Sequence, residues 1–151
     1  MNYLDIQLAT DFVQIPTAEM MQAWVDAVLK ESEQDSEIVV RLVDETESAE
    51  LNSQYRHKSG PTNVLSFPFE APEGFETDLL GDLVICAPLL ALEAKQQNKV
   101  LFDHWAHILI HGVLHLLGYD HLQDDEAEEM EALEIKILST LNIDNPYLDR
   151  E

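Results

Sequence analysis

Apolar and polar residues alternate through Leu4, Asp5, Ile6, Gln7 and Leu8, the two-residue period of a half-buried strand. Behind Thr17, placed as an N-cap, Met20, Met21, Trp24, Val25, Val28 and Leu29 recur at helical spacing and predict an amphipathic helix to about Ser32. Ile38 to Val43 is short and β-branched, a second strand. Asp44 with Glu47 has the form of a capping pair, opening a helix that closes near Arg56. Turn residues from Arg56 to Pro61 lead into a third strand, Val64 to Phe67, stopped by Pro68. Leu79 to Cys86 makes a fourth, in which Gly81-Asp82 marks a bulge or a close backbone approach. Pro88 suits the first turn of the next helix. Further helices are predicted from about Phe102 to Leu117 and from Asp124 to about Leu141, the last burying Ala127, Met130, Leu133, Ile137 and Leu141. Strands precede most of the helices without regular βαβ alternation. The fold class is therefore α+β: one domain over residues 1–151, with a sheet of about four strands covered by about five helices.

Composition narrows the setting. A chain of 151 residues suits one core, and 46% hydrophobic with 25% charged residues is ordinary for a soluble protein. The longest apolar stretch, Leu79 to Leu92, is broken by Asp82 and falls short of the ~20 residues that span a bilayer. The opening MNYLDIQLATDF carries acids where a secretory signal would carry lysines. Cys86 is the sole cysteine, so neither an internal disulfide nor a cysteine zinc cage can form within this sequence. A cytoplasmic protein is expected. The net charge of −22 excludes recognition of nucleic acid through the overall field, so an anionic substrate must be met by a local patch. The acid-rich stretch from Asp124 to Glu134 reads as a solvated helix face whose first turn favours negative charge.

Chemistry concentrates between His104 and His121. At ~100° per residue, His104, His107, His111 and His115 fall on one helical stripe. His111 and His115 are one turn apart, with Cβ atoms ~5–6 Å from each other, close enough to share an ion ~2.0–2.1 Å from each nitrogen. Gly118 can end the helix in the left-handed conformation, and Tyr119-Asp120 then carries His121 round to face the pair. Three imidazoles leave one coordination position open, as catalytic sites do. Zinc is the first choice, although imidazoles also suit nickel, copper and iron. His107 and His104 have no turn to bring them a third ligand and read as supporting or core residues. Asp120 serves either to orient an imidazole or to cap the turn. The pattern matches the metzincin peptidase signature except at Gly112, where those enzymes carry their glutamate base. That argues against peptidase chemistry, and the glycine is expected to leave room beside the metal.

The tract His111-Gly112-Val113-Leu114-His115-Leu116-Leu117-Gly118-Tyr119-Asp120-His121 resembles the YbeY family of rRNA maturation endoribonucleases. Leu51-Asn52-Ser53-Gln54-Tyr55-Arg56, the run Pro61 to Pro68 and the strand Leu80 to Cys86 resemble it as well. The resemblance implies a metalloprotein that acts on 16S rRNA 3′ ends with the small ribosomal subunit and its proteins, without membrane or DNA partners. It implies metal ligands His111, His115 and His121 and a catalytic role for Arg56. Ser59-Gly60 departs from the family, which usually has an acid and often a lysine there. A metal at these histidines would activate water, and the Arg56 fork would hold two phosphate oxygens. His57 and Lys58 would add positive field, with Ser66 and Asp82 as further candidates from the sheet. No general base emerges. Two rivals remain: a metal-dependent hydrolase of another substrate, and a zinc-stabilised ribosome-biogenesis factor that binds without cutting, whose acidic surface would suit basic ribosomal proteins.

Overall fold

The computed structural model describes residues 2–30, 35–70, 72, 74, 77–119 and 124–147. Among these, the chain runs β1 (Asn2–Ala9), α1 (Ala18–Val28), β2 (Ser36–Val43), α2 (Glu45–Arg56), β3 (Val64–Pro68), β4 (Leu79–Cys86), α3 (Ala87–Gln96), α4 (Leu101–Leu116) and α5 (Asp124–Thr140). The sheet order is β1-β2-β4-β3. β1, β2 and β4 are parallel, and β3 lies antiparallel to β4 at the edge. Pro68 ends β3 there, where a missing N–H is tolerated. The α+β reading with four strands and five helices holds, and one βαβ unit, β1-α1-β2, stands within it.

Several local expectations are corrected. Leu8 is exposed near the end of β1, so the buried alternation stops at Ile6. Helix α1 keeps its Thr17 cap, whose hydroxyl accepts from the Met20 amide at 3.1 Å, but stops at Val28; the expected end at Ser32 lies outside the described residues. Asp44 is the N-cap residue of α2 without capping through its side chain. Glu47 is taken by Arg41 at 2.6 Å, and the Asp44 carboxylate accepts from the Thr10 hydroxyl, so neither acid reaches back to the helix end.

The two sheet faces carry different cores. Leu83 and Ile85 of β4 face α4, together with Val64 of β3, Trp105, Leu109, Ile110 and Leu114. Val84, Cys86 and Leu65 face the other way, against Leu51 of α2 and Leu89 of α3. α4 is buried on most of its circumference from His104 to Leu116, the pattern of a central helix. Gly81 shows both features expected of it. A shift in pairing with β2 falls beside it, and a Cβ there would sit 2.3 Å from the Phe67 carbonyl and 2.8 Å from Leu116 Cδ2. Its bare backbone lets the C-terminal end of α4 close onto the sheet.

Candidate metal centre

His111 and His115 share one face of α4, their ring centroids 4.6 Å apart and their Nε2 atoms 3.0 Å apart. Helical spacing alone brings them this close. Two ligands at ~2.0–2.1 Å in tetrahedral array would stand about 3.3 Å apart, so a small adjustment admits a shared cation. The helix then ends in a Schellman turn. The Gly118 amide donates to the His115 carbonyl at 3.0 Å and the Tyr119 amide to that of Leu114 at 3.1 Å, with Gly118 at φ 103°. Tyr119 packs against the core and turns the chain away from the helix axis. His121 and Asp120, the next candidates, lie outside the described residues. Among the described residues no third histidine, cysteine or carboxylate completes a metal group.

Behind the pair lies Glu134 of α5, a residue expected to face solvent with the rest of its acid-rich stretch. It is fully buried, although Asp125, Glu126, Glu128, Glu129 and Glu131 before it are exposed as expected. Its Oε1 accepts from His111 Nδ1; its Oε2 accepts from the Tyr147 hydroxyl and, at 3.1 Å, from His107 Nε2. Burial pushes this carboxyl up, but the hydrogen bonds from His107, His111 and Tyr147 outweigh burial and hold it at about 2. Burial and the neighbouring Glu134 charge push the Tyr147 phenol up, so it stays a donor. A signal for this burial exists in the sequence: Glu134 sits one turn past Met130 and one before Leu138, an acid inside an apolar stripe. His107 supports this cluster, and His104 is buried and paired with Glu93 at 3.0 Å, as supporting and core residues should be.

The exposed side of the pair opens into a cleft of about 680 Å³, lined by Asn52, Arg56, Lys58, Ser66, His111 and His115 among others. Arg56, the last residue of α2, lines it beside the edge strand β3, and its Nη2 donates to the Ser66 carbonyl at 3.2 Å. Polar ties pin the connecting loop. Asn52 Nδ2 donates to the Gly60 carbonyl at 2.9 Å, and Ser48 Oγ donates to the Thr62 carbonyl at 2.9 Å. His57 ends α2 in the left-handed conformation, φ 57°, and is not among the residues lining the cleft. Two of the eight cationic side chains thus meet at the histidines, the local patch that an acidic chain requires. Ser66 reaches the cleft, whereas Asp82 alternates to the other face of β4 and does not. Gly112 does not leave room beside the histidines. A Cβ there would meet Leu83 Cδ2 at 2.9 Å and Val64 Cγ2 at 3.4 Å, so the glycine lets α4 approach the sheet.

The family model of Endoribonuclease YbeY matches residues 5–142. This chain belongs to the YbeY family. It is 54% identical over 153 aligned positions to Endoribonuclease YbeY of Colwellia psychrerythraea, covering 99% of each chain. It is 58% identical over 136 residues to Endoribonuclease YbeY of Alteromonas mediterranea, covering 89% of this chain and 86% of that one. The solution structure of TM1509 from Thermotoga maritima shares the fold at a TM-score of 0.59 and 25% identity, over 92% of this chain and 91% of the other. Within the YbeY family match fall the histidine pair, Arg56, Lys58 and Glu134, while Tyr147 lies beyond its end.

Proposed function

We propose that this YbeY-family chain is a cytoplasmic, metal-dependent endoribonuclease of rRNA maturation, trimming 16S rRNA 3′ ends on the small ribosomal subunit. The observation that carries the proposal is one cleft lined both by His111 and His115, their Nε2 atoms 3.0 Å apart, and by the cationic residues Arg56 and Lys58. The relatives named Endoribonuclease YbeY support the reaction class. His111, His115 and His121 would hold one zinc ion, with His121 assigned from its spacing after Gly118. The donor set fits: neutral imidazoles suit a borderline cation, and a carboxylate behind one of them is the usual support for such a ligand. When bound, a divalent ion of this kind supplies Lewis-acid polarisation of water and of a phosphoryl oxygen.

The remaining chemistry belongs to the chain. Arg56 presents a planar fork that can hold two non-bridging phosphate oxygens as charge builds on them. Its hydrogen bond to the Ser66 carbonyl fixes one end of the guanidinium, so less freedom is lost when phosphate arrives. Lys58 adds a second positive charge on the same wall. These cations concentrate attraction at one place on a chain of net charge −22, which directs an RNA strand to the cleft and away from the rest of the surface. Purified protein should carry one zinc per chain and cut precursor rRNA, and a chelator should stop the cutting until zinc is restored. Undiminished cutting by metal-free protein would refute the metal-dependent reading.

A further inference from the structure

The carboxylate behind His111 belongs to a larger cluster on the side of the helix away from the cleft. His107, Glu134 and Tyr147 pack together behind His111. An ionised carboxylate offers only lone pairs, so each group touching it must donate. His111, when neutral, is therefore fixed with its hydrogen on Nδ1 and a lone pair on Nε2, the nitrogen that faces His115 at 3.0 Å. The opposite tautomer would turn a hydrogen toward the cleft and leave Nδ1 without one to give the carboxylate. Glu134 thus selects the form of His111 able to bind a cation.

Glu134 is in turn held from a different part of the chain. Helix α5 ends at Thr140, and the segment after it returns so that Tyr147 stacks edge-on against His107, ring centroids 5.3 Å apart. Its hydroxyl donates to the same carboxylate oxygen that His107 contacts. Asn145 Oδ1 accepts from the Tyr147 amide at 2.8 Å and stiffens that turn. Tyr147 is partly exposed while Glu134 is sealed, so the ring forms the cover between the carboxylate and water.

We infer that Glu134 and Tyr147 are positioning residues for the metal centre, Glu134 locking the tautomer and orientation of His111, and Tyr147, carried by the C-terminal segment, locking Glu134. The inference rests on the reading of His111 as a metal ligand. Supporting carboxylates of this kind govern about 10- to 100-fold in metal affinity. One lost hydroxyl hydrogen bond is a smaller matter, about three- to tenfold.

The test uses the full chain. Zinc affinity is measured by competition with a chromophoric chelator for wild type, Glu134→Gln, Tyr147→Phe and His115→Ala. Nitrogen-15 spectra of the histidine side chains are recorded on zinc-free protein. We expect Glu134→Gln to weaken zinc binding about 10- to 100-fold and Tyr147→Phe about three- to tenfold. The His111 signal should shift from pure Nδ1–H toward a tautomer mixture at an unchanged melting temperature in Tyr147→Phe. Should Glu134→Gln not fold, Tyr147→Phe decides alone, because it removes one hydroxyl from a partly exposed ring. Wild-type affinity and an unchanged tautomer in these variants, with zinc lost from His115→Ala, would overturn the positioning role and leave the metal reading standing. Zinc retained by His115→Ala would overturn the metal reading and this inference together.

Discussion

Two of the histidine–carboxylate pairs on helix α4 have their burial reversed. At its N-terminal end, His104 is nearly sealed, 4% exposed as a side chain, and its partner Glu93 is the more exposed group at 23%. Two turns further on, at His111, the acid Glu134 of α5 is the sealed member at 0%, and the imidazole is the one that reaches outward, at 24%. In the first pair, the imidazole is the sealed member and its Nε2 is taken up by the carboxylate. In the second, the acid stands inside and the imidazole presents its far nitrogen to a cleft. Identical residue types at helical spacing on one stripe thus divide into a packing contact and a metal-binding candidate. The side from which the carboxylate approaches separates them.

The largest expected effect is on metal. His115→Ala should reduce bound zinc from about one per chain to near zero in elemental analysis, because the two remaining ligands cannot hold it. His104→Ala should keep the metal while losing stability, and equal metal loss in both variants would erase the contrast between the two ends. Next comes cleavage without metal loss. Arg56→Glu places a negative charge beside the incoming phosphate and should abolish cutting of precursor rRNA at unchanged zinc content. Unaltered cutting would remove Arg56 from phosphate binding. The smallest effect belongs to the sealed pair. Glu93→Gln replaces an ionic hydrogen bond with a neutral one and should cost about 1 kcal/mol in chemical denaturation, with zinc affinity unmoved. A matching drop in zinc affinity would show that the two pairs communicate.

The cleft also explains how a chain of this charge can address RNA. Arg41, a cation elsewhere, is spent on Glu47, which also draws the Glu47 carboxyl down. Arg56 and Lys58 share the cleft with the histidines because Asn52 and Ser48 tie the following loop to α2 and because the Ser66 carbonyl of edge strand β3 accepts from Arg56. RNA attraction is local here, set by loop anchoring more than by composition.

Local rules suffice for much of this. The 3.6-residue period places His111 and His115 on one face of a helix, and Gly118 ends that helix, since both depend only on near neighbours along the chain. The four strands and most helix ends follow from periodicity and turn residues in the same way. The acid at position 134 escapes such rules because its helix is exposed along most of its acidic length, and only its docking on α4 reveals which carboxylate turns inward. Gly112 escapes them for the same reason, because the space its missing side chain opens is taken by Leu83 and Val64, residues near it only after the sheet has formed. Periodicity and capping act over one or two turns and can be read from adjacent residues. Which polar group is buried, and which nitrogen is left facing a cleft, is settled only when elements distant in sequence pack together and the cost of burying a charge must be met by particular partners.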